Sequence, residues 1–332
     1  MLCLGVATLA ALVCTATAER ILEARDVAQL SEGQVFLDVG KAHIRYRVAG
    51  GDKPGPTVVL INGFVAPLEQ WDEVQRTVAE FSPTLAYDRA NLGLTRGSEA
   101  RDAASQAEEL IEVLVAAQAK LPIVAVAYSS SALTVRVLVS RHPSLVQGVV
   151  FVDPKSPEQI LDRAYLARYK HDSPWPARAL SVGTWTYQTG RMLVATGLGI
   201  LRFQTWLHHR SSPPESVHAQ RLASFFELSS TWIVGFGEAM VLDRSARDAL
   251  AWPGDKTDVP LGLISSGEGS DWPYLNDEFE LDKRLAAAST AGMFLSVPGW
   301  SHDHMLENPS YLPTIVEMIR SVVDRAKVRF AR

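Results

Sequence analysis

The sequence predicts an α/β domain, a mostly parallel sheet with helices on both faces, interrupted by a helical insertion. Three observations carry this. Short apolar runs within residues 56–64, 82–97, 121–131 and 145–154 pass into polar loops or a stop at Asp153-Pro154, the form of fully buried strands. Segments with helical apolar spacing follow at 102–118 and 131–143, and strand and helix alternating at this distance means βαβ units. Residues 155–252 then hold no clear strand, and the strand pattern resumes at 259–267 and 292–299.

Taken in chain order, the opening MLCLGVATLAALVCTATAER reads as a signal peptide over residues 1–18. It has an apolar core and Ala16-Thr17-Ala18 as an A-x-A cleavage site before Glu19, but no Lys or Arg in its first residues. An uncleaved N-terminal membrane anchor is the alternative, since the run is near the lower length for a spanning helix. Both cysteines, Cys3 and Cys14, lie in this stretch. Its removal would exclude disulfides and thiol catalysis. After a polar linker, VFLDVGKAHIRYRVAGG (35–51) alternates around Gly40-Lys41 as a β-hairpin. Helix 131–143 closes at Pro143, and 313–330 has the apolar spacing of a last helix. The domain reading is therefore a core over 19–154 and 253–332, with a helical cap over 155–252.

The composition narrows the function. The chain has 332 residues, 47% hydrophobic, with a formal net charge of -5. No basic run marks a nucleic-acid partner, and no histidine group has zinc-like spacing with cysteines.

VAVAYSSSALTV (124–135) places three serines where a strand meets a helix, at the carboxyl edge where parallel sheets bind ligands. A turn this sharp can expose a nucleophile, as in the G-x-S-x-G elbow. The residues two before and two after the nucleophile must be small. Ser129 meets that rule with Ala127 and Ser131. Ser130 would put Tyr128, and Ser131 would put Leu133, where a small residue is needed. The competing reading is that the serines cap the helix. A serine nucleophile needs a base, and His302 lies just past the last predicted strand, with His304 as a second candidate. Oxyanion donors would be the backbone N–H of Ser130 and, after LINGF, of Phe64.

These residues resemble the α/β-hydrolase superfamily. LINGF is similar to its strand-to-oxyanion-loop motif, with Asn62 in the usual histidine position. YDRANLGLTRG (87–97) resembles its Asp-Arg-x-Gly-x-Gly-x-Ser loop, AYSSS its elbow, and His302–Pro309 its final histidine loop. The resemblance implies an eight-stranded, mostly parallel sheet, with the helical cap inserted after strand 6. It implies Ser129 as nucleophile, His302 as general base and then acid, and Phe64 and Ser130 as oxyanion donors. In most relatives the triad acid follows the strand that here is PLGLISSG, near Gly269, with Glu268 and Asp271 beside that position. In others, the haloalkane dehalogenases among them, it follows the strand after the elbow helix, which places Asp153. The reading takes Asp153, with Asp271 and Glu268 as alternatives. Serine at the elbow argues against the aspartate-dependent dehalogenases and epoxide hydrolases.

The expected function is hydrolysis of an apolar carboxylic ester or lactone of small to medium size, in a secreted or periplasmic protein. Lactonase, thioesterase, amidase and C–C hydrolase are the enzyme alternatives. A non-catalytic small-molecule binding protein on the same fold is the alternative outside that class. The chemistry needs no metal or organic cofactor. The apolar segment 190–207 and the leader suggest contact with lipid.

Overall fold

The computed structural model of the protein describes residues 2–97, 101–161, 182–211, 216–253, 256–267 and 273–330. Its strands are β1 (Val35–Val39), β2 (Ala42–Ala49), β3 (Val58–Ile61), β4 (Thr84–Tyr87), β5 (Ile123–Tyr128), β6 (Val146–Val152), β7 (Leu261–Ser265) and β8 (Gly292–Ser296). They form one 8-stranded sheet in the order β1-β2-β4-β3-β5-β6-β7-β8. β2 runs antiparallel to β1 and β4, and every other neighbouring pair is parallel. The expected hairpin and the mostly parallel sheet are both present.

Each inner strand is buried on both faces, which is why its sequence is apolar throughout. Val59, Ile61, Ala125, Ala127, Val149, Phe151, Leu261 and Leu263 belong to one core layer. It is shared with α3 (Ala103–Ala116) and α4 (Ser131–Arg141). Val58, Leu60, Val124, Val126, Tyr128, Val150, Val152 and Ile264 form the other layer, with α2 (Asp72–Val78) and α12 (Leu312–Phe330). The period of two assigns alternate residues to opposite layers. α3 starts cleanly because the Asp102 carboxylate accepts the Ser105 N–H at 2.7 Å.

Between β6 and β7 run α5 (Pro157–Leu161), α6 (Val182–Gly197), α7 (Ile200–Ser211), α8 (Val217–Phe226), α9 (Ser229–Met240) and α10 (Leu242–Ala249). α11 (Pro273–Ala287) joins β7 to β8. The chain begins with α1 (Leu2–Ser31), and here the structure differs from the expected polar linker. Residues 19–31 stay helical because their polar side chains find partners in distant sequence. Glu19 and Asp26 both pair with Arg202, at 2.9 and 2.6 Å. Glu23 accepts the Ser229 N–H at 2.7 Å and its hydroxyl at 2.9 Å, capping α9. Leu30 packs with Phe225 and Leu228. Among the described residues no helix is long and apolar enough to cross a membrane.

A buried ionic cluster ties the antiparallel edge to the loops above the sheet. Arg45, fully buried on β2, donates to Asp88 at 2.6 Å and to both Glu69 oxygens at 2.8 and 2.7 Å. Asp88 also accepts the Leu68 N–H at 2.7 Å and a bond from Asn62 at 3.3 Å. Arg221 of α8 reaches Glu69 at 3.1 Å. Arg45→Met would leave two carboxylates in low dielectric without their main counter-charge. A loss of about 3–5 kcal/mol is expected from breaking one side of a buried pair, read as a lower denaturant midpoint in equilibrium unfolding.

Candidate active site

The sheet register brings distant residues to one edge. Ile61 pairs with Ala127, Ala127 with Phe151, and Phe151 with Leu263. The loops after β3, β5, β6 and β7 therefore leave the sheet at the same height. They carry Gly63, Ser129, Asp153 and Ser266. The loop after β8 carries His302 to the same edge.

Only Ser129 and Ser130 separate β5 from α4. The backbone of Ser129 turns to φ 56° and that of Asp153 to φ 45°, a left-handed conformation that costs a non-glycine residue about 1–3 kcal/mol. Backbone bonds hold both turns in place. Ser129 N–H donates to Val152 O at 3.2 Å, Asp153 N–H to Ile264 O at 2.8 Å, and Lys155 N–H to Ser129 O at 3.0 Å.

The three serines do different things. The Ser131 hydroxyl is within hydrogen-bond reach of the Ile61 and Tyr128 carbonyls, at 2.9 and 2.8 Å, bracing the elbow against β3. Ser130 is the N-cap residue of α4 but makes no side-chain cap bond, so the capping reading does not describe this turn. Ser129, 6% exposed, places its Oγ 3.0 Å from His302 Nε2. His302 Nδ1 lies 2.5 Å from Asp153 Oδ2. The structure thus brings Ser129, His302 and Asp153 into one hydrogen-bonded line. His304, two residues on, is exposed. Glu268 and Asp271 lie outside the described residues.

The surroundings favour a charged Asp153. Burial works against the charge, but the His302 bond, the His302 charge, the Ser266 N–H and Lys155 outweigh it and hold the carboxyl below its usual value. Ser266 donates its N–H to Oδ1 at 2.8 Å, and its hydroxyl lies 3.0 Å from both oxygens. An imidazole between a hydroxyl and an ionised carboxylate can take the hydroxyl proton while the carboxylate stabilises the imidazolium.

The two expected oxyanion donors, Phe64 and Ser130, are placed through their chain neighbours. Ser130 follows Ser129 directly, and Gly63, just before Phe64, packs on it. A Cβ added at Gly63 would sit 2.8 Å from Tyr128 Cδ1 and 3.4 Å from Ser129 Cβ, so only glycine fits. Sequence reasoning missed two residues that shape this edge. Tyr128 stacks on the His302 ring at 5.2 Å and donates its hydroxyl to the His302 carbonyl. Ser266 holds Asp153. Tyr128 was legible only as a bulky residue beside the elbow, and Ser266 only as the polar end of PLGLISSG. Asn62 donates to the Tyr87 carbonyl at 3.1 Å, joining the loops after β3 and β4. Among the described residues no group of three or more His, Cys, Asp or Glu side chains is placed to hold a metal ion.

A family model described as the alpha/beta hydrolase family matches residues 58–312. The chain is similar to the uncharacterized protein YqjL of Bacillus subtilis (strain 168), 31% identical over 101 residues. That match spans 30% of this chain and 40% of the relative's length. Among solved structures, the Cif epoxide hydrolase from Acinetobacter nosocomialis has a TM-score of 0.68 at 18% identity, covering 92% of this chain and 96% of that one. A putative lipase from Acinetobacter baumannii AYE has a TM-score of 0.58 at 16% identity, covering 94% and 97%. At these identities the structural likeness concerns the fold.

Proposed function

The chain belongs to the alpha/beta hydrolase family, and on that premise we propose that it is a serine hydrolase of apolar carboxylic esters or lactones. One observation carries the reading, the line from Ser129 Oγ through His302 to Asp153, at 3.0 and 2.5 Å. Ser129 Oγ attacks the ester carbonyl carbon while His302 Nε2 takes its proton. Backbone N–H groups of Phe64 and Ser130 receive the charge on the carbonyl oxygen. The C–O bond to the alcohol breaks, and His302 returns the proton to the leaving oxygen. Water, deprotonated by His302, then attacks the acyl-enzyme, the acid leaves, and Ser129 recovers its proton.

The nucleophile also bears on substrate class. Attack by a serine on an epoxide carbon would leave an ether with no carbonyl for water to attack. Attack on an ester leaves a second ester, which water can cleave. An acyl substrate therefore suits Ser129 better than an epoxide. The apolar character rests on what lies above the loop after β3. Gly235 of α9 packs against Val65 and Phe64, and Phe236 lies against Gly190 of α6. Exposed Phe203, Trp206 and Leu207 on α7, with Leu9, Leu12 and Val13 on α1, support contact with a lipid surface. Removal of the leader after Ala18 belongs to the same reading; it would make Glu19, the partner of Arg202, the first residue and leave lipid contact to α7, whereas an uncleaved leader would keep Leu9, Leu12 and Val13 in that contact.

A fluorophosphonate reagent tests the central claim. The folded protein is expected to take one label, mapped by mass spectrometry to Ser129 and lost after heat denaturation. A folded protein that takes no label there would instead favour a small-molecule binding protein. Gly63→Ala offers a second test. The new Cβ must displace the Tyr128 ring, which stacks on His302, and a shift near 1 Å at the chemistry costs about 10²-fold. That loss in kcat/KM on p-nitrophenyl butyrate is the expected result.

A further inference from the structure

Resting on the reading of Ser129 as nucleophile, we propose that Arg89 and Glu238 form a positioning pair for the oxyanion loop. Arg89 holds the Gly63–Phe64 peptide with its N–H turned toward Ser129, and cap helix α9 holds Arg89.

Arg89 follows β4 and is 3% exposed. Its Nη1 donates to the Asn62 carbonyl at 2.7 Å and its Nη2 to the Gly63 carbonyl at 3.0 Å. The second bond matters most. In a trans peptide the C=O and the following N–H point in opposite directions. A guanidinium bonded to the Gly63 oxygen therefore sets where the Phe64 N–H points. Gly63 itself lies against Ser129, so the turned-away N–H belongs to the peptide beside the nucleophile. A cation on the carbonyl also draws electron density from the amide and makes its N–H a stronger donor.

The remaining guanidinium edge goes to the cap. Arg89 Nε donates to Glu238 Oε1 at 2.9 Å and Nη2 to Oε2 at 3.2 Å. Glu238 sits on α9 and is held in turn. Gln106 of α3 donates to it at 3.0 Å, and the Thr134 hydroxyl of α4 donates to Gln106 at 2.7 Å. α4 is the helix that begins at the elbow. Burial opposes the Arg89 charge, and Glu238, together with Tyr87 and Glu109, outweighs that opposition. The same helix presses on the loop one residue further along. Val65 takes φ 51°, and a Cβ at Gly235 would approach Val65 Cγ1 to 2.5 Å. Removing α9 would thus take the counter-charge from Arg89 and the cover from Val65 together.

A merely structural ion pair would affect stability alone, so the test reads catalysis. The enzyme is assayed with p-nitrophenyl butyrate for kcat and KM, with an aryl trifluoromethyl ketone for the affinity of a tetrahedral oxyanion, and by thermal melting. Arg89→Met/Glu238→Gln removes the pair without leaving either charge buried alone. The expected result is a parallel fall in kcat and ketone affinity on the order of 10²–10³-fold, the loss of one oxyanion donor, with KM little changed. Glu238→Gln should show a smaller parallel fall. Arg89→Lys, which keeps the charge but lacks the planar fork that reaches both carbonyls and Glu238 together, should fall between wild type and the double variant. A folded double variant with wild-type kcat and ketone affinity overturns the proposal, whatever its melting temperature. Should the double variant not fold, Glu238→Gln decides by the same two readouts. Failure of the wild type to take fluorophosphonate at Ser129 would instead remove the nucleophile reading, and the proposal with it.

Discussion

Ser129→Ala is expected to lower kcat on p-nitrophenyl butyrate on the order of 10⁶-fold, the scale found when a triad serine is removed. The size follows from what is lost. Without the hydroxyl no acyl-enzyme forms, and water must attack the ester directly, with only the backbone donors left to help. His302 and Asp153 stay in place in this variant, since their mutual bond at 2.5 Å does not involve Ser129. The fold should be unaffected, because the change removes the Oγ bond to His302 while the backbone bonds of Ser129 remain. Steady-state kinetics over fresh and heat-treated enzyme would measure the loss, and labelling by fluorophosphonate should vanish with it. Full activity in the alanine variant would place the nucleophile elsewhere.

Asp153→Asn is expected to cost about 10⁴ in kcat, as in the corresponding serine-protease change. The direction can be read from the partners. Ser266 N–H points at Oδ1 from 2.8 Å, so in the variant the amide oxygen takes that position. The amide NH₂ then replaces Oδ2 and faces His302 Nδ1. It donates where a carboxylate accepts, and the imidazole proton moves to Nε2. His302 can no longer accept from Ser129, although every heavy atom keeps its place. Asp271→Asn and Glu268→Gln should leave kcat near wild type. A loss of 10⁴ in Asp271→Asn, with Asp153→Asn unaffected, would move the acid to the loop after β7.

The two candidate carboxylates show where sequence reasoning runs out. Asp153 and Asp271 both follow apolar runs in the right chain order, and spacing alone left Asp271 and Glu268 open as alternatives. What places Asp153 beside His302 is the parallel pairing of β6 with β7, its own left-handed turn at φ 45° and the Ser266 bonds. None of these is written in the residues around it. Arg89 was visible only as part of the loop YDRANLGLTRG. Its contact with Glu238 joins residues 149 positions apart, and no local pattern announces a pairing of that kind. The same holds for residues 19–31, which read as a polar linker because Glu19, Glu23 and Asp26 meet Arg202 and Ser229 only once α7 and α9 have packed beside them.

The sequence by itself determined the strands, their buried character and the elbow. Continuous apolar runs, helical spacing and the demand for small residues around a sharp turn are local effects, complete within a dozen residues. The tertiary structure alone decided which carboxylate faces His302 and how α9 meets the loop after β3. Those outcomes depend on strand register, on positive φ at Ser129 and Asp153, and on buried ion pairs. Each arises from groups far apart in the chain that acquire partners only after water has been excluded between them.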